Sequence, residues 1–122
     1  MKNPNLPRSF KYALSGIVET LKNERNFKIH LYAAVCALGL AIWLKISVIE
    51  FICVSISIAM VLSAELINTA IESVVDLFAG EEIHPLAKAA KDAAAGAVLI
   101  TAVNAAAVGA AVFLKRLINI IM

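Results

Sequence analysis

The sequence is short of charge for its size, with 16% charged residues, and has only two cysteines and two histidines. It carries a formal net charge of only +2, too little basic excess to argue for nucleic acid as a partner. Its two cysteines, Cys36 and Cys53, sit inside apolar runs, with no C-x-x-C and no cysteine–histidine cluster. That excludes a zinc site or a redox dithiol and leaves the thiols as small buried hydrophobes. No G-x-x-x-x-G-K stretch and no kinase-type glycine-rich loop is present, so any nucleotide site has to be made from charged side chains and metal. The first residues are polar and include Pro4 and Pro7, which is not the pattern of a secretory signal peptide. There is no internal repeat and no low-complexity linker.

What the chain has in excess is apolar residues, 61% of its 122 positions. Soluble domains hold about 45–50%. A fold of this size in water cannot hide so much apolar surface, whereas in a bilayer it need not be hidden. The expected fold is therefore an all-α membrane protein forming one domain over 1–122. Over 1–28, Phe10, Ala13, Leu14, Ile17, Val18 and Leu21 recur at helical spacing, and Lys11, Lys22, Arg25 and Lys28 supply a basic part. This is the pattern of an amphipathic helix lying in a membrane interface. Three transmembrane helices are expected after it, over 29–45, over 46–79 with a cytoplasmic extension, and over 91–116, with a cytoplasmic loop over 80–90. The first is short for a bilayer and can start earlier, using Lys28 and Lys45 as snorkelling ends and Trp43 at an interface. The third is rich in Ala and Gly, which lets helices approach closely. Three spans put eight basic residues (Lys2, Arg8, Lys11, Lys22, Arg25, Lys28, Lys88 and Lys91) on one side and Lys45, Lys115 and Arg116 on the other. The positive-inside rule assigns the N-terminus and the 80s loop to the cytoplasm.

The chemistry is concentrated in Glu65–Asp76, which reads ELINTAIESVVD. On a helix, Glu65, Asn68, Glu72 and Asp76 fall within about 80° of one another and climb about 16 Å along the axis. Three acids and an amide on one face of a membrane helix are expensive and usually functional. Lys91 is positioned to meet the mouth of this stripe, with Lys88 and Asp92 beside it. Glu24, at the end of the first amphipathic segment, is a further acid within range of the stripe's cytoplasmic end. Carboxylates without histidine or thiolate suit a hard ion such as Mg²⁺, whose other ligands would be phosphate oxygens and water.

ELINTAIESVVD, followed after a short gap by HPLAKAAKDAAAGAV, resembles the signature of the prokaryotic diacylglycerol kinase family, and the likeness covers nearly the whole chain. The resemblance implies a homotrimer in the bacterial inner (plasma) membrane, with active sites near the cytoplasmic face, using MgATP to phosphorylate a lipid hydroxyl. It implies Glu65 as general base and Glu24 and Glu72 as acids that bind the metal on ATP. Lys91 and Asp92 match positions near the phosphates and nucleotide. Tyr12, Glu82, Ile83 and His84 fall where other members contact ATP, and Asn68 and Asp76 match motif positions with supporting polar roles. His30 departs from the enterobacterial members, which carry an acid there. The NFKIH run with HPLAKAAKDAAAGAV is more similar to the undecaprenol kinase branch, so undecaprenol is expected ahead of diacylglycerol as substrate. His30 itself is expected to mark the branch without a catalytic part. Outside this class, a small proton-coupled transporter also places an essential acid in a membrane helix. Such proteins usually have four spans and one early acid, whereas here three spans are expected and the acids gather late. An inactive membrane scaffold is disfavoured by the same acids.

Overall fold

The computed structural model describes residues 5–82 and 84–122, and it is helical nearly throughout. Helix α1 spans Leu6–Asn23, α2 Arg25–Leu44, α3 Val48–Ala79 and α4 Pro85–Gly109. A π-helical stretch, Ala110–Leu114, joins α4 to α5, Lys115–Ile121. Three continuous helical stretches are long and apolar enough to cross a membrane: Arg25–Leu44, Val48–Ala79 and Pro85–Ile121.

The helix limits follow from local chemistry. Asn5 caps α1, its side-chain oxygen accepting from the Arg8 amide at 3.1 Å, and Pro7 sits in the first turn, where its missing N–H costs nothing. The chain leaves the helix at Glu24, which takes extended backbone angles (φ −108°, ψ 115°), and re-enters it at Arg25. The amphipathic segment thus ends at Asn23, not at Lys28, and the first spanning helix begins at Arg25. Its 20 residues give about 30 Å, the thickness of a bilayer core. Lys45 closes α2 in the left-handed region at φ 53°. Ser47 and Glu50 form a reciprocal capping box at the start of α3, each backbone amide bound by the other's side chain at 3.0 and 3.1 Å. Gly80 ends α3 at φ 59°, ψ −132°, a backbone conformation that strains any residue with a Cβ. His84 then caps α4 through Nδ1, accepting from the Leu86 amide at 3.1 Å, with Pro85 opening the helix. The 80s loop is therefore shorter than the 80–90 expected, and the last helical stretch is longer at both ends than 91–116.

Helices α3 and α4 form the most extensive contact, α2 packs on α3, and α1 touches both α2 and α3. The interior is a thin seam of mostly small residues. Phe27, Ala34 and Ala41 recur every seven residues along α2, and Val54, Ser57, Val61 and Glu65 mark the inward stripe of α3. Ala94 and Val112 complete the buried apolar set. Close approach of α3 and α4 is what the small residues of α4 permit. Most large apolar side chains face outward, among them Ile42, Trp43, Ile49, Ile100 and Leu99, as they must where hydrocarbon or another chain is the surroundings. Cys36 and Cys53 are both exposed on that outer surface and not buried as expected, because so few helices have more outside than inside.

Candidate active site

Glu65 is the last member of the inward stripe of α3, and the register Val54, Ser57, Val61, Glu65 carries a carboxylate into the seam with only 4% of the residue exposed. Its partner comes from α2. His30 Nε2 lies 3.3 Å from Glu65 Oε1. One turn further along α3, Asn68 donates from Nδ2 to Glu72 Oε1 at 2.7 Å. The Asn68 side-chain oxygen, Oδ1, is buried and has no partner among the described residues. Another turn on, Asp76 is exposed and pairs with Lys91 of α4, with Oδ1 to Nζ at 2.6 Å. Lys88 and Asp92 pair along α4 at 2.6 Å. The stripe grades from a buried acid through half-buried Asn68 and Glu72 to an exposed ion pair.

Two clefts lie at the ends of this stripe. One, of about 230 Å³, is bounded by α2, α3 and α4. His30 stands at it, and Ala33, Ala37, Leu62, Ala105 and Phe113 are among its walls. Among the described residues His30 and Ser57 are its polar side chains, and Ser57 Oγ accepts from Asn104 Nδ2 of α4 at 3.5 Å. The other cleft, also about 230 Å³, lies at the α3–α4 turn and is lined by charge: Asp76, Glu82, His84, Lys88, Lys91 and Asp92. A third hollow, of about 320 Å³, lies between α1 and α3 and holds Tyr12 with Thr20, Leu66 and Thr69.

Of the residues singled out in the sequence, Asp76, Glu82, His84, Lys91 and Asp92 share the charged cleft. Glu65, Asn68 and Glu72 lead to it along α3. Tyr12 and Glu24 stand apart from it within one chain. Tyr12 faces α3 in its own hollow, and Glu24 sits half-buried at the α1–α2 break with no side-chain hydrogen bond or ion pair among the described residues. Ile83 lies outside the described residues. No three Asp, Glu, His or Cys side chains converge into a cation site among the described residues. The donors on offer are carboxylate oxygens, the kind a hard ion takes when phosphate and water supply the rest, so they fit Mg²⁺ arriving on a nucleotide better than a resident ion. His30, expected to have no catalytic part, is paired with Glu65. The available signal was a lone imidazole at the polar end of an apolar run.

The chain matches the family model for prokaryotic diacylglycerol kinase over residues 11–113. It belongs to the prokaryotic diacylglycerol kinase family. An undecaprenol kinase of Bacillus subtilis is 46% identical over 110 residues, which cover 90% of this chain and 89% of the relative. A diacylglycerol kinase of Synechocystis is 41% identical over 119 residues, covering 98% of this chain and 68% of the relative. The diacylglycerol kinase of Escherichia coli is 35% identical over 94 residues, covering 77% and 76%. As a member of the prokaryotic diacylglycerol kinase family, the chain is an ATP-dependent lipid kinase and, with its three long apolar helices, an integral membrane protein of bacteria. The transporter and scaffold readings fall away. The polar stripe of this kinase is set between an apolar cleft and a charged one.

Proposed function

We propose that this lipid kinase transfers the γ-phosphoryl group of MgATP to the primary hydroxyl of undecaprenol, at the cytoplasmic face of the inner membrane. The single observation that carries the substrate choice is the apolar cleft at which His30, the partner of Glu65, stands. An allylic alcohol with a branched hydrocarbon tail needs no donors along such a wall. Diacylglycerol brings two ester carbonyls, which cost free energy if buried without partners. Among the described residues the polar side chains lining it are His30 and Ser57, a sparse supply of donors for two esters. The 46% identity to the Bacillus subtilis undecaprenol kinase supports the same reading. Diacylglycerol, the substrate in the names of other relatives, is the second reading.

In this mechanism the lipid hydroxyl reaches Glu65 from the apolar side, and its carboxylate accepts the hydroxyl proton as general base. Lys91 orients the phosphates in the charged cleft, with Asp76 holding its ammonium in place. Asp92, Glu82 and His84 border the nucleotide there, and Tyr12 adds a contact from a neighbouring chain; Ile83, expected at the nucleotide, lies outside the described residues. Asn68 fixes the Glu72 carboxylate. Glu72 and Glu24 would hold the Mg²⁺ that arrives on ATP, which would supply positive charge against the phosphates in a reaction dominated by positioning and electrostatics. Glu24 and Tyr12 lie apart from the charged cleft within one chain, so a site that gathers them all draws on neighbouring chains of a homotrimer. The basic residues of the first segment and of the α3–α4 turn put the N-terminus and the site on the cytoplasmic side, with α1 in the interface.

The test is γ-labelled ATP offered with Mg²⁺ to the purified protein in mixed micelles of undecaprenol. Label should move into a polyprenyl phosphate, and excess EDTA should stop it. Label recovered only in phosphatidic acid, when diacylglycerol is offered in parallel, would overturn the substrate assignment.

A further inference from the structure

Each turnover strips one proton from the lipid hydroxyl, and that proton has to leave a carboxyl group that is almost fully buried. Glu65 is 4% exposed. Along α3 toward water its next polar neighbour is Asn68, an amide, which cannot accept a proton, and beyond it is Glu72, whose Oε1 is occupied by Asn68 Nδ2. In the other direction the cleft wall is apolar apart from Ser57, whose hydroxyl is no base near neutrality. Across the seam stands His30, the one basic side chain paired with Glu65 among the described residues. Its own side chain is 27% exposed against 5% for Glu65. An imidazole is also the side chain whose ordinary pKa suits both taking and releasing a proton near neutrality.

We infer that His30 is a positioning residue that relays the proton from Glu65 to water and so returns the base to its carboxylate form after each transfer. The inference rests on Glu65 being the base, as proposed above. The balance is complete. The lipid O–H bond breaks, and its oxygen forms the new bond to the γ-phosphorus. The bond from that phosphorus to the β–γ bridging oxygen breaks, with its electron pair leaving on ADP. The proton passes to Glu65, then to Nε2 of neutral His30 carrying its hydrogen on Nδ1; the imidazolium releases the Nδ1 proton to water, and proton exchange with water restores the Nδ1–H tautomer before the next transfer. The 3.3 Å separation is longer than a charge-assisted bond of about 2.7–2.9 Å, and such contacts commonly tighten when substrate arrives.

The experiment compares His30→Ala and His30→Gln in the full-length protein in mixed micelles, with and without free imidazole. Glutamine can place an amide nitrogen near the position of Nε2 and hold Glu65, but it cannot carry a proton. The relay predicts that both variants lose about 10²-fold in kcat, with KM for ATP within twofold of wild type. It further predicts that imidazole restores His30→Ala in a concentration-dependent way and leaves wild type unaffected. Full activity in His30→Gln beside a slow His30→Ala would show that His30 only orients Glu65, and would overturn the relay. So would wild-type kcat in both, or a loss in both that imidazole leaves untouched. Glu65→Gln run in parallel separates the two ideas. If it is fully active, the base assignment fails. If it is inactive while His30→Ala is normal, only the relay fails.

Discussion

Replacing Glu65 by Gln changes the base and almost nothing else. The two side chains have nearly the same volume, and an amide at position 65 can still face His30 across the seam between α2 and α3. The inward stripe of Val54, Ser57 and Val61 keeps its packing, so the folded protein should survive in detergent with little change in thermal stability. Turnover should fall by at least about 10²-fold, the low end for loss of a general base. That corresponds to about 2.7 kcal/mol of lost transition-state stabilisation. ATP binding should hardly move, because Glu72 lies seven residues further on, about 10.5 Å along the helix axis, and Lys91 is further still. The assay is steady-state phosphoryl transfer at saturating undecaprenol and MgATP, with nucleotide affinity measured separately by equilibrium binding. Near-wild-type turnover would refute the base assignment. Equal losses in turnover and in ATP affinity would refute the division of the stripe into a lipid end and a nucleotide end.

Glu24→Gln and Glu72→Gln should each weaken MgATP binding and shift the Mg²⁺ dependence of the rate to higher concentration, read by titrating Mg²⁺ at fixed ATP. Unchanged titrations in both would count against metal binding by these acids. Lys91→Ala should raise KM for ATP by about 10-fold or more, the worth of a hydrogen bond to a charged group. Its melting temperature should stay close to wild type, because an ion pair as exposed as Lys91–Asp76 adds little stability. At the far end of the bundle, Arg116 of α5 pairs with Glu50, which also caps α3. Glu50→Ala removes both contacts and should lower the melting temperature more than Arg116→Ala, which leaves the cap in place, as thermal unfolding in detergent would show.

Much of this arrangement is written in residue order. The long apolar runs, broken by Lys45–Ser47 and by the Gly80–Pro85 turn, mark the three spanning helices. The spacing of Glu65, Asn68, Glu72 and Asp76 marks one polar face, and the structure keeps them on it while grading their burial. Lys91 meets the stripe at Asp76 as the sequence leads one to expect. Other features depend on tertiary contact. The break at Glu24 is a single extended residue inside a continuous helical pattern, and no proline or glycine announces it. The start of α4 at Pro85 rests on His84 acting as a cap through its imidazole, an uncommon capping residue. The π-helical stretch at Ala110–Leu114 interrupts a uniformly apolar sequence that gives no local warning. The pairing of His30 with Glu65 joins residues 35 positions apart on different helices, which periodicity along one helix cannot reveal.

The measurement that bears most directly on the proposed function is a side-by-side determination of kcat/KM for undecaprenol and for diacylglycerol at matched surface concentrations, with MgATP saturating. An apolar cleft with few hydrogen-bond donors predicts a higher specificity constant for undecaprenol, with some activity on both. A clear preference for diacylglycerol would contradict it, because the ester carbonyls would then have found partners that this cleft does not show.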